Sequence, residues 1–424
     1  MSLNTEDCSD AMNSSRRDYE PLLNTTTEPS TYLLSNDLRN QHRKNTPWLS
    51  LSSIATLLYA FVVVIGQVTQ YVTLPMWIDS TKNVTSSQNQ TVEWTPTIDS
   101  FFVLSFASSV FVTVFGSALV INIFVFKQYS IHKTDWNHRR VFLIVGFFQG
   151  LAAVFIVFSS SGERTPPYLQ AILGNFSVPI TLLLRYLFLK KVPTRRKLLS
   201  AIAVVLGLFI SLIPTFYPHI DPRAVRHLGG ATGAGRVLWP LAFMLGFGIS
   251  ALSFVMEEKA IKLRGSNQTQ AGLVSFLFWT SLAQFLVLLP LFWVDIIPGV
   301  GQTRNLHEFI QNWIFGIQCI FGGVGCSWSP GVLAFMFITG YIMVVCGSAL
   351  LLRYSEGATL LAIVMALCTP LGFIFWMLFQ EKPFRWHPYF HTSSWFNISA
   401  LIIMIPAVFI YNTGMPEMER EELQ

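Results

Sequence analysis

Eight polar side chains lie near the centres of long apolar segments in this sequence of 424 residues. They are Gln67, Gln70, Gln149, Asn175, Ser177, Gln284, Tyr341 and Thr369. Amides and hydroxyls are costly in an apolar segment unless they face a cavity or a partner, and they orient polar organic ligands by hydrogen bonding. The alternative for each residue is a hydrogen bond between helices, worth about 0.6 kcal/mol on average. For the set as a whole, we expect some members to line a solute pathway.

Two of the apolar segments repeat each other. Residues 169–191 (LQAILGNFSVPITLLLRYLFLKK) align with residues 360–382 (LLAIVMALCTPLGFIFWMLFQEK) at an offset of 191, which places Pro179 on Pro370. Proline lacks an amide hydrogen and clashes one turn back, so it frees carbonyl groups that can face a solute or permit bending. Matched interruptions in the two halves of a membrane chain indicate a substrate site. A packing kink is the alternative for either proline.

Few charged residues accompany these segments. Arg185 follows Pro179 by roughly 9 Å along a helix axis, where it can serve as a substrate-anion or gating charge or extend to the lipid headgroups. No carboxylate lies at the centre of an apolar run, because Glu257 and Glu258 end the sixth run. Asp295 and Glu381, which follow the seventh and ninth runs, are therefore the candidates for proton coupling. Solvated interface charges are the alternative.

The composition predicts a polytopic membrane protein. Hydrophobic residues make up 52% of the chain and charged residues 12%, with a mean hydropathy of +0.49, whereas soluble domains carry about 25% charged residues. Ten apolar runs approach or exceed the roughly 20 residues that cross a bilayer as a helix. They are 51–77, 101–126, 141–160, 168–189, 198–216, 237–256, 271–293, 331–352, 358–379 and 395–412.

Other chemistries find no support in the sequence. The net charge of +5 resides in short clusters between apolar runs, where it sets topology and does not indicate nucleic acid. There is no phosphate-binding GxxxxGK[ST] motif, no HExxH motif and no nucleophile elbow. The five cysteines form no zinc-type array. We therefore predict no enzyme activity, no cofactor and no metal.

Charge and parity predict the topology. With both termini cytosolic, 19 Lys and Arg residues lie on the cytosolic side and 8 on the other side, which is a positive-inside bias. The loop at 78–100 carries glycosylation sequons at Asn83 and Asn89, which are used only on the non-cytosolic side. Because five spans are an odd number, two halves of five enter the membrane oppositely.

The fold class predicted is therefore all-α, with ten transmembrane helices in two inverted five-helix repeats. The predicted organisation consists of four parts. They are a disordered cytosolic tail at 1–47, a first repeat at 48–216, a second repeat at 217–412 and a cytosolic C-terminal tail at 413–424.

The long connection at 294–330 has a pattern of its own. Asn305 and Glu308 resemble a capping box, and the following apolar residues recur at helical spacing, with Asn312 among the polar residues opposite. This pattern predicts an amphipathic helix on the membrane surface, or a lid on the non-cytosolic mouth. A disulfide between Cys319 and Cys326 is predicted if that compartment is oxidising, and two free thiols buried in the membrane are the alternative.

The N-terminal tail contains DYEPLL, residues 18–23. Asp18, Leu22 and Leu23 fit the acidic dileucine pattern that sorting adaptors bind on endosomal and lysosomal membrane proteins. The predicted location is therefore an endosomal, lysosomal or vacuolar membrane.

Three stretches carry a resemblance to a known family: FIQNWIFGIQCIFG with the following CSW (309–328), PPYLQAILGNFSVPITLLLRYLFL (166–189) and FVMEEKAIK (254–262). Together they resemble the chloroquine-resistance-transporter-like (CRT-like) family of the drug/metabolite transporter superfamily. The resemblance implies ten helices in inverted halves, cytosolic termini and a lumenal segment with a surface helix and cysteines. It also implies proton-driven export of a small organic solute (an amino acid, peptide, thiol or organic cation) from an acidic organelle.

Two other functions are compatible with the sequence. One is a nucleotide-sugar or vitamin carrier of the same superfamily in the Golgi or plasma membrane. The other is a receptor or scaffold that transports nothing. The expected partners of the main hypothesis are an organic solute, the lipid bilayer, protons and sorting adaptors.

Overall fold

The structure is a computed structural model, and it describes residues 51–81, 96–124, 136–189, 194–217, 231–263, 270–323, 326–354, 358–380, 384–388 and 392–412. The chain divides into two units, Met1–Ser53 and Ile54–Gln424. The first unit contributes only 51–53 to the described residues. The second unit contains the helical fold.

The described residues are almost entirely helical. The α-helices are α1 (Leu51–Ile78), α2 (Ser100–Phe124), α3 (Trp136–Ser159), α4 (Pro167–Leu173), α5 (Ser177–Leu189), α6 (Arg195–Phe216), α7 (Gly235–Leu263), α8 (Gln270–Leu288), α9 (Leu306–Ile320), α10 (Ser329–Tyr354), α11 (Ala358–Leu378) and α12 (Thr392–Asn412). Two 3₁₀ helices cover Gly174–Phe176 and Leu289–Ile296. A two-stranded antiparallel hairpin pairs β1 (Phe379–Gln380) with β2 (Arg385–Trp386).

The predicted class of a polytopic α-helical membrane protein is confirmed. Within the described ranges, eight helical spans have the length and hydropathy needed to cross a bilayer. They are Ala55–Ile78, Ser100–Phe124, Arg140–Ser159, Pro167–Phe188, Arg195–Pro214, Gly235–Lys259, Leu273–Ile296 and Ser329–Leu352. Helices α11 and α12 contribute the shorter apolar stretches Cys368–Leu378 and Ser394–Ala407.

The two repeated segments differ in their backbone. The first is interrupted at Gly174–Phe176, where a 3₁₀ turn joins α4 to α5. Pro179 explains this break, because the amide hydrogen that it lacks would bond the carbonyl of Asn175 one turn back. The second copy stays α-helical through Pro370. The sequence therefore predicted an interruption in both copies, and the structure places one only in the first.

Two large apolar clusters make up most of the core. One is formed mainly by α1, α2, α3, α8 and α10, and the other mainly by α4 to α7, α11 and α12. Helices α1 and α10 cross closely, since a Cβ atom added at Gly66 would lie 2.6 Å from the carbonyl oxygen of Gly340. The space between the two clusters holds the candidate site.

Helix α9 begins as the capping pattern predicts. The Asn305 side chain accepts a hydrogen bond from the Glu308 amide (2.9 Å), and the Glu308 carboxylate accepts one from the Arg304 amide (2.8 Å). One face of α9 packs on α2, with Trp313 Nε1 donating to Ser105 Oγ at 3.0 Å. The helix is therefore amphipathic, and it is fastened to the bundle along one side.

The end of α9 is held by a covalent bond. The structure joins the sulfur atoms of Cys319 and Cys326, whose Cα atoms are 5.1 Å apart, as the sequence predicts for an oxidising compartment. Asn312 departs from its prediction: it was placed on the polar face, but it is buried against the start of α2.

Several predicted residues lie outside the described ranges. These are Asp18, Leu22 and Leu23 of the sorting pattern, Asn83 and Asn89 of the sequons, and Glu381. The two tails, 1–47 and 413–424, also lie outside them.

Candidate functional site

A cavity of about 180 Å³ lies between the two apolar clusters. Its walls come from α1, α3, α4, the first 3₁₀ turn, α5, α7, α8, α10 and α11, and most of the lining is apolar. An apolar protein cavity of about 150 Å³ holds one benzene molecule. The cavity therefore has room for a small organic solute.

The structure brings five of the predicted pathway residues to this cavity. They are Gln67, Gln70, Gln149, Ser177 and Tyr341. Asn175, Gln284 and Thr369 are buried but do not line the cavity. Pro179 and Pro370 are half-buried and do not line it either. The prolines thus shape the helices around the cavity and do not contact its interior.

Two tyrosines of the cavity wall, Tyr71 on α1 and Tyr341 on α10, have different hydrogen-bond partners. Gln67 hydrogen-bonds the Tyr71 hydroxyl. The absence of a side chain at Gly174 makes room for that hydroxyl, since an added Cβ would lie 2.6 Å from it. The Tyr341 hydroxyl donates to Gln284 Oε1 at 3.3 Å, and its ring stacks on Phe111 with centroids 4.1 Å apart. These contacts fix two phenol rings in the cavity wall.

The sequence interpretation missed the carboxylate in the cavity wall. Glu257 lines the cavity and is only 4% exposed. Among the described residues, no hydrogen bond or ion pair engages its carboxylate, although it interacts electrostatically with Tyr341. A buried carboxylate aimed into a cavity is costly unless it meets a cation or takes up a proton. Glu257 is therefore the strongest candidate in this site for recognition or coupling.

A sequence signal for Glu257 exists. Ser250, Ser253 and Glu257 recur at helical spacing and lie on one face of α7, all three lining the cavity. The prediction ended the sixth run at residue 256, whereas α7 continues to Leu263. With the longer helix, Glu257 would have been placed on the same stripe.

Only some of the polar lining is available to a solute. Ser253 and Thr280 donate to carbonyl groups of their own helices, which satisfies a hydroxyl locally. By contrast, Gln70 Nε2 and Ser348 Oγ are buried without a hydrogen-bond partner among the described residues. Buried polar groups normally have partners. These two atoms and the Glu257 carboxylate are thus among the groups that a bound molecule can engage.

Asn175 and Thr369 connect the two repeated segments. The Thr369 hydroxyl lies 2.9 Å from Asn175 Oδ1 and 3.2 Å from the carbonyl oxygen of Ala171. Both side chains are buried. Of the two interpretations of these residues, a hydrogen bond between helices is the one that the structure contains, and neither side chain lines the cavity.

We expect Asn175→Ala and Thr369→Val each to lower the free energy of unfolding, and the double variant to lose less than the sum. The expected coupling is about 0.6 kcal/mol and at most about 1.7 kcal/mol, the range found for such bonds in membrane proteins. A double-mutant cycle of unfolding in detergent measures it. Additive losses would contradict the contact.

Arg185 is buried and paired. Its Nη2 lies 3.1 Å from Glu258 Oε1, which joins α5 to α7 across 73 positions of sequence. The residue is 4% exposed, so the interpretation that it extends to the headgroups is wrong. The neighbours Glu257 and Glu258 point to different places because successive helical residues are turned by about 100°.

Asp295 does not reach the cavity. It is fully buried near the end of the second 3₁₀ helix, where its carboxylate accepts hydrogen bonds from Thr303 Oγ1 (3.1 Å) and the Gln302 amide (3.4 Å). It is therefore not the solvated interface charge named as its alternative.

The fold and cavity define a polytopic helical membrane protein with a partly polar central chamber. The chain belongs to the CRT-like family, since the profile of that family (CRT-like, chloroquine-resistance transporter-like) matches residues 95–411. Crt homolog 1 of Dictyostelium discoideum is 25% identical over 223 residues, which cover 52% of this chain and 43% of that protein. The alignment thus spans less than half of the length of that relative.

One solved structure, titled "Crystal structure of protein", aligns with 82% of this chain and 98% of its own. Its sequence identity is 11% and its TM-score 0.39, which is too low to define a shared fold.

Proposed function

We propose that this protein is a secondary active transporter that moves a small organic solute across the membrane by alternating access. The observation that carries the proposal is the Glu257 carboxylate in a cavity enclosed by apolar helices. Such a group is expensive to retain and marks a solute or ion pathway. Of the solute classes named above, its negative charge favours those with a protonated amine, namely amino acids, peptides and organic cations.

The proposed architecture has ten membrane helices in two inverted halves of five. Numbering the spans in chain order, with α4 and α5 together as the fourth span and α10, α11 and α12 as the eighth to tenth, the packing pairs are compatible with that symmetry. The second span packs on the seventh, the fourth on the ninth and the fifth on the tenth. The third packs on the sixth and the eighth on the first. Exchanging the halves converts each pairing into one that is present, as inverted repeats require.

Proton coupling is part of the proposal. Glu257 replaces Asp295 and Glu381 as the candidate coupling residue, because it faces the cavity. The buried Arg185–Glu258 pair lies directly beside it in sequence and joins α5 to α7. We assign that pair the role of a gate contact that changes when α7 moves.

A flux measurement tests the proposal. Ligands are first found by thermal stabilisation of the purified protein with amino acids, dipeptides, glutathione and organic cations, since binding at 100 times the Kd adds about 2.7 kcal/mol. Flux of the ligands found is then followed in proteoliposomes with an imposed pH gradient. Solute movement that follows the gradient is the expected result. Absence of flux from a folded, inserted sample would leave a receptor or scaffold.

The proposed location is an endosomal, lysosomal or vacuolar membrane with both termini cytosolic. The charge bias and the DYEPLL sequence support it. We expect Leu22→Ala combined with Leu23→Ala to move the tagged protein to the cell surface, measured by surface biotinylation. Unchanged targeting in the double variant would remove the sorting argument, and Leu33→Ala with Leu34→Ala in the same tail is the matched control.

A further inference from the structure

A buried amide fastens helix α9 to the start of α2. Asn312 Nδ2 donates to Asp99 Oδ2 at 3.2 Å, and Asn312 Oδ1 accepts from the Thr97 amide at 3.0 Å. Asn312 and Asp99 are both 1% exposed. One side chain therefore spans the contact between α9 and the residues that lead into α2, more than 200 positions earlier.

Asp99 also begins α2. Its Oδ1 accepts from the Phe102 amide at 2.6 Å, which makes it the helix cap. The buried carboxyl of Asp295 lies close enough to act on it electrostatically. Asp295 in turn holds the loop before α9 through Thr303 and Gln302. Two buried carboxyls thus lie near each other, Asp99 as the cap of α2 and Asp295 on the 3₁₀ helix that contacts α2.

Among the described residues, Arg164 joins Asp295 to two other carboxylates. Arg164 donates to the carbonyls of Phe158 and Val300, lies 4.2 Å from the Trp239 ring and attracts Asp295, Asp79 and Glu163. Asp79 accepts from Ser161 Oγ and the Gly162 amide. Burial lowers the pKa of Arg164, but an arginine keeps its positive charge in proteins. Arg164 attracts Asp295, and no attraction from a cation acts on Asp99 among the described residues.

We propose that Asp99, Asn312 and Asp295 form a pH-sensitive latch that fastens α9 to the bundle when Asp99 is protonated and loosens it when Asp99 is charged. The latch is distinct from the central cavity, and its existence does not depend on which solute is carried. A charged Asp99 is a buried carboxylate beside the carboxyl of Asp295, so the fastened state disfavours a negative charge at this place. Opening of α9 relieves that penalty by returning Asp99 to water.

The direction of the pH effect follows from the two states of Asp99. Burial, followed by repulsion from Asp295, raises the pKa of Asp99 from its ordinary value of 3.8 to about 8 in the fastened state. The fastened state therefore binds the proton more tightly than the open, solvated state. Fastening is strongest below the ordinary pKa and is lost as the pH rises through about 8. An acidic compartment closes the latch, and neutral surroundings loosen it.

Hydrogen exchange of the full-length protein in nanodiscs tests this latch. Protection factors of the α9 amides, corrected for the chemical exchange rate at each pH, are compared at pH 5 and pH 8. We expect the protection of α9 to fall at least tenfold over this range, as a pKa difference of one unit or more between the states requires. Protection of α12 amides, far from the latch in sequence, serves as the internal reference.

Three variants separate the latch from general instability. Asp99→Asn keeps a helix cap and is expected to hold α9 protection within twofold between the two pH values. Asp295→Asn should move the midpoint of the transition to lower pH, because it removes the repelling charge. Glu308→Gln removes a half-exposed carboxylate from α9 and should retain the wild-type response. A wild-type response that is flat, or one that survives in Asp99→Asn, would overturn the latch.

Discussion

Replacing Glu257 with glutamine is expected to lower solute flux at least tenfold while leaving the fold intact. Two opposite unit charges 4 Å apart attract by about 4 kcal/mol at an effective dielectric constant of about 20. Half of that energy already corresponds to a change of about 30-fold in rate. The variant is nearly the same size, and no ion pair in the described residues depends on the carboxylate. Flux is measured in proteoliposomes under a pH gradient.

The control for Glu257 is a carboxylate outside the cavity. Glu308→Gln changes a half-exposed residue of α9 and should leave flux within twofold of the wild type. The unfolding midpoint of Glu257→Gln should equal or exceed that of the wild type, since an unpaired buried charge is removed. Full flux in Glu257→Gln would show that the carboxylate is not part of the pathway.

Replacing Arg185 with methionine is expected to have the largest effect on stability. Removal of Arg185 breaks the buried ion pair with the Glu258 carboxylate, and breaking a buried pair from one side costs about 3–5 kcal/mol. Replacing both partners, as Arg185→Met with Glu258→Leu, should recover most of that loss, because an apolar pair pays no desolvation penalty. The test is to measure the free energy of unfolding of the wild type, the single variant and the double variant in mixed micelles.

A surface arginine provides the comparison for this cycle. Arg195→Met changes an exposed residue at the start of α6 and should alter the free energy of unfolding by no more than about 0.5 kcal/mol. If Arg185→Met behaved like Arg195→Met, the ion pair would be unimportant for the fold. If the double variant also lost flux while remaining stable, the pair would act in gating.

The two adjacent glutamates of α7 thus have opposite expected phenotypes. Glu257 faces the cavity, and its replacement is expected to lower solute flux. Glu258 faces α5, and breaking its ion pair is expected to lower the free energy of unfolding. Because the two residues are consecutive, their side chains point about 100° apart, but their positions along the helix axis differ by only about 1.5 Å.

Local features were predictable from the sequence. The spans follow from the length and hydropathy of each apolar run, and these are properties of the segment alone. The start of α9 at Asn305 was also predictable, because the capping residues and the backbone amides that they bond are neighbours in sequence. Five of the eight central polar residues line the cavity, since polar groups in lipid must find a polar environment.

Partners distant in sequence were not predictable. Nothing in the sequence states that Arg185 meets Glu258, that Asn175 meets Thr369 or that Asn312 meets Asp99. Each pairing depends on the rotation of two helices about their axes, and a single residue of error in a helix end turns a side chain by about 100°. The sixth run was ended at residue 256 although α7 continues to Leu263, and this error hid Glu257.

The sequence by itself determined that this chain spans a membrane many times, that it carries polar groups within those spans and that it resembles the CRT-like family. The reason is that hydropathy, capping patterns and motifs depend only on residues that are close together in the sequence. The tertiary structure decided which polar groups face the cavity, which pair with each other and which fasten α9. Those choices are set by packing between helices far apart in the chain, where a buried charge or amide is stable only beside the partner that satisfies it.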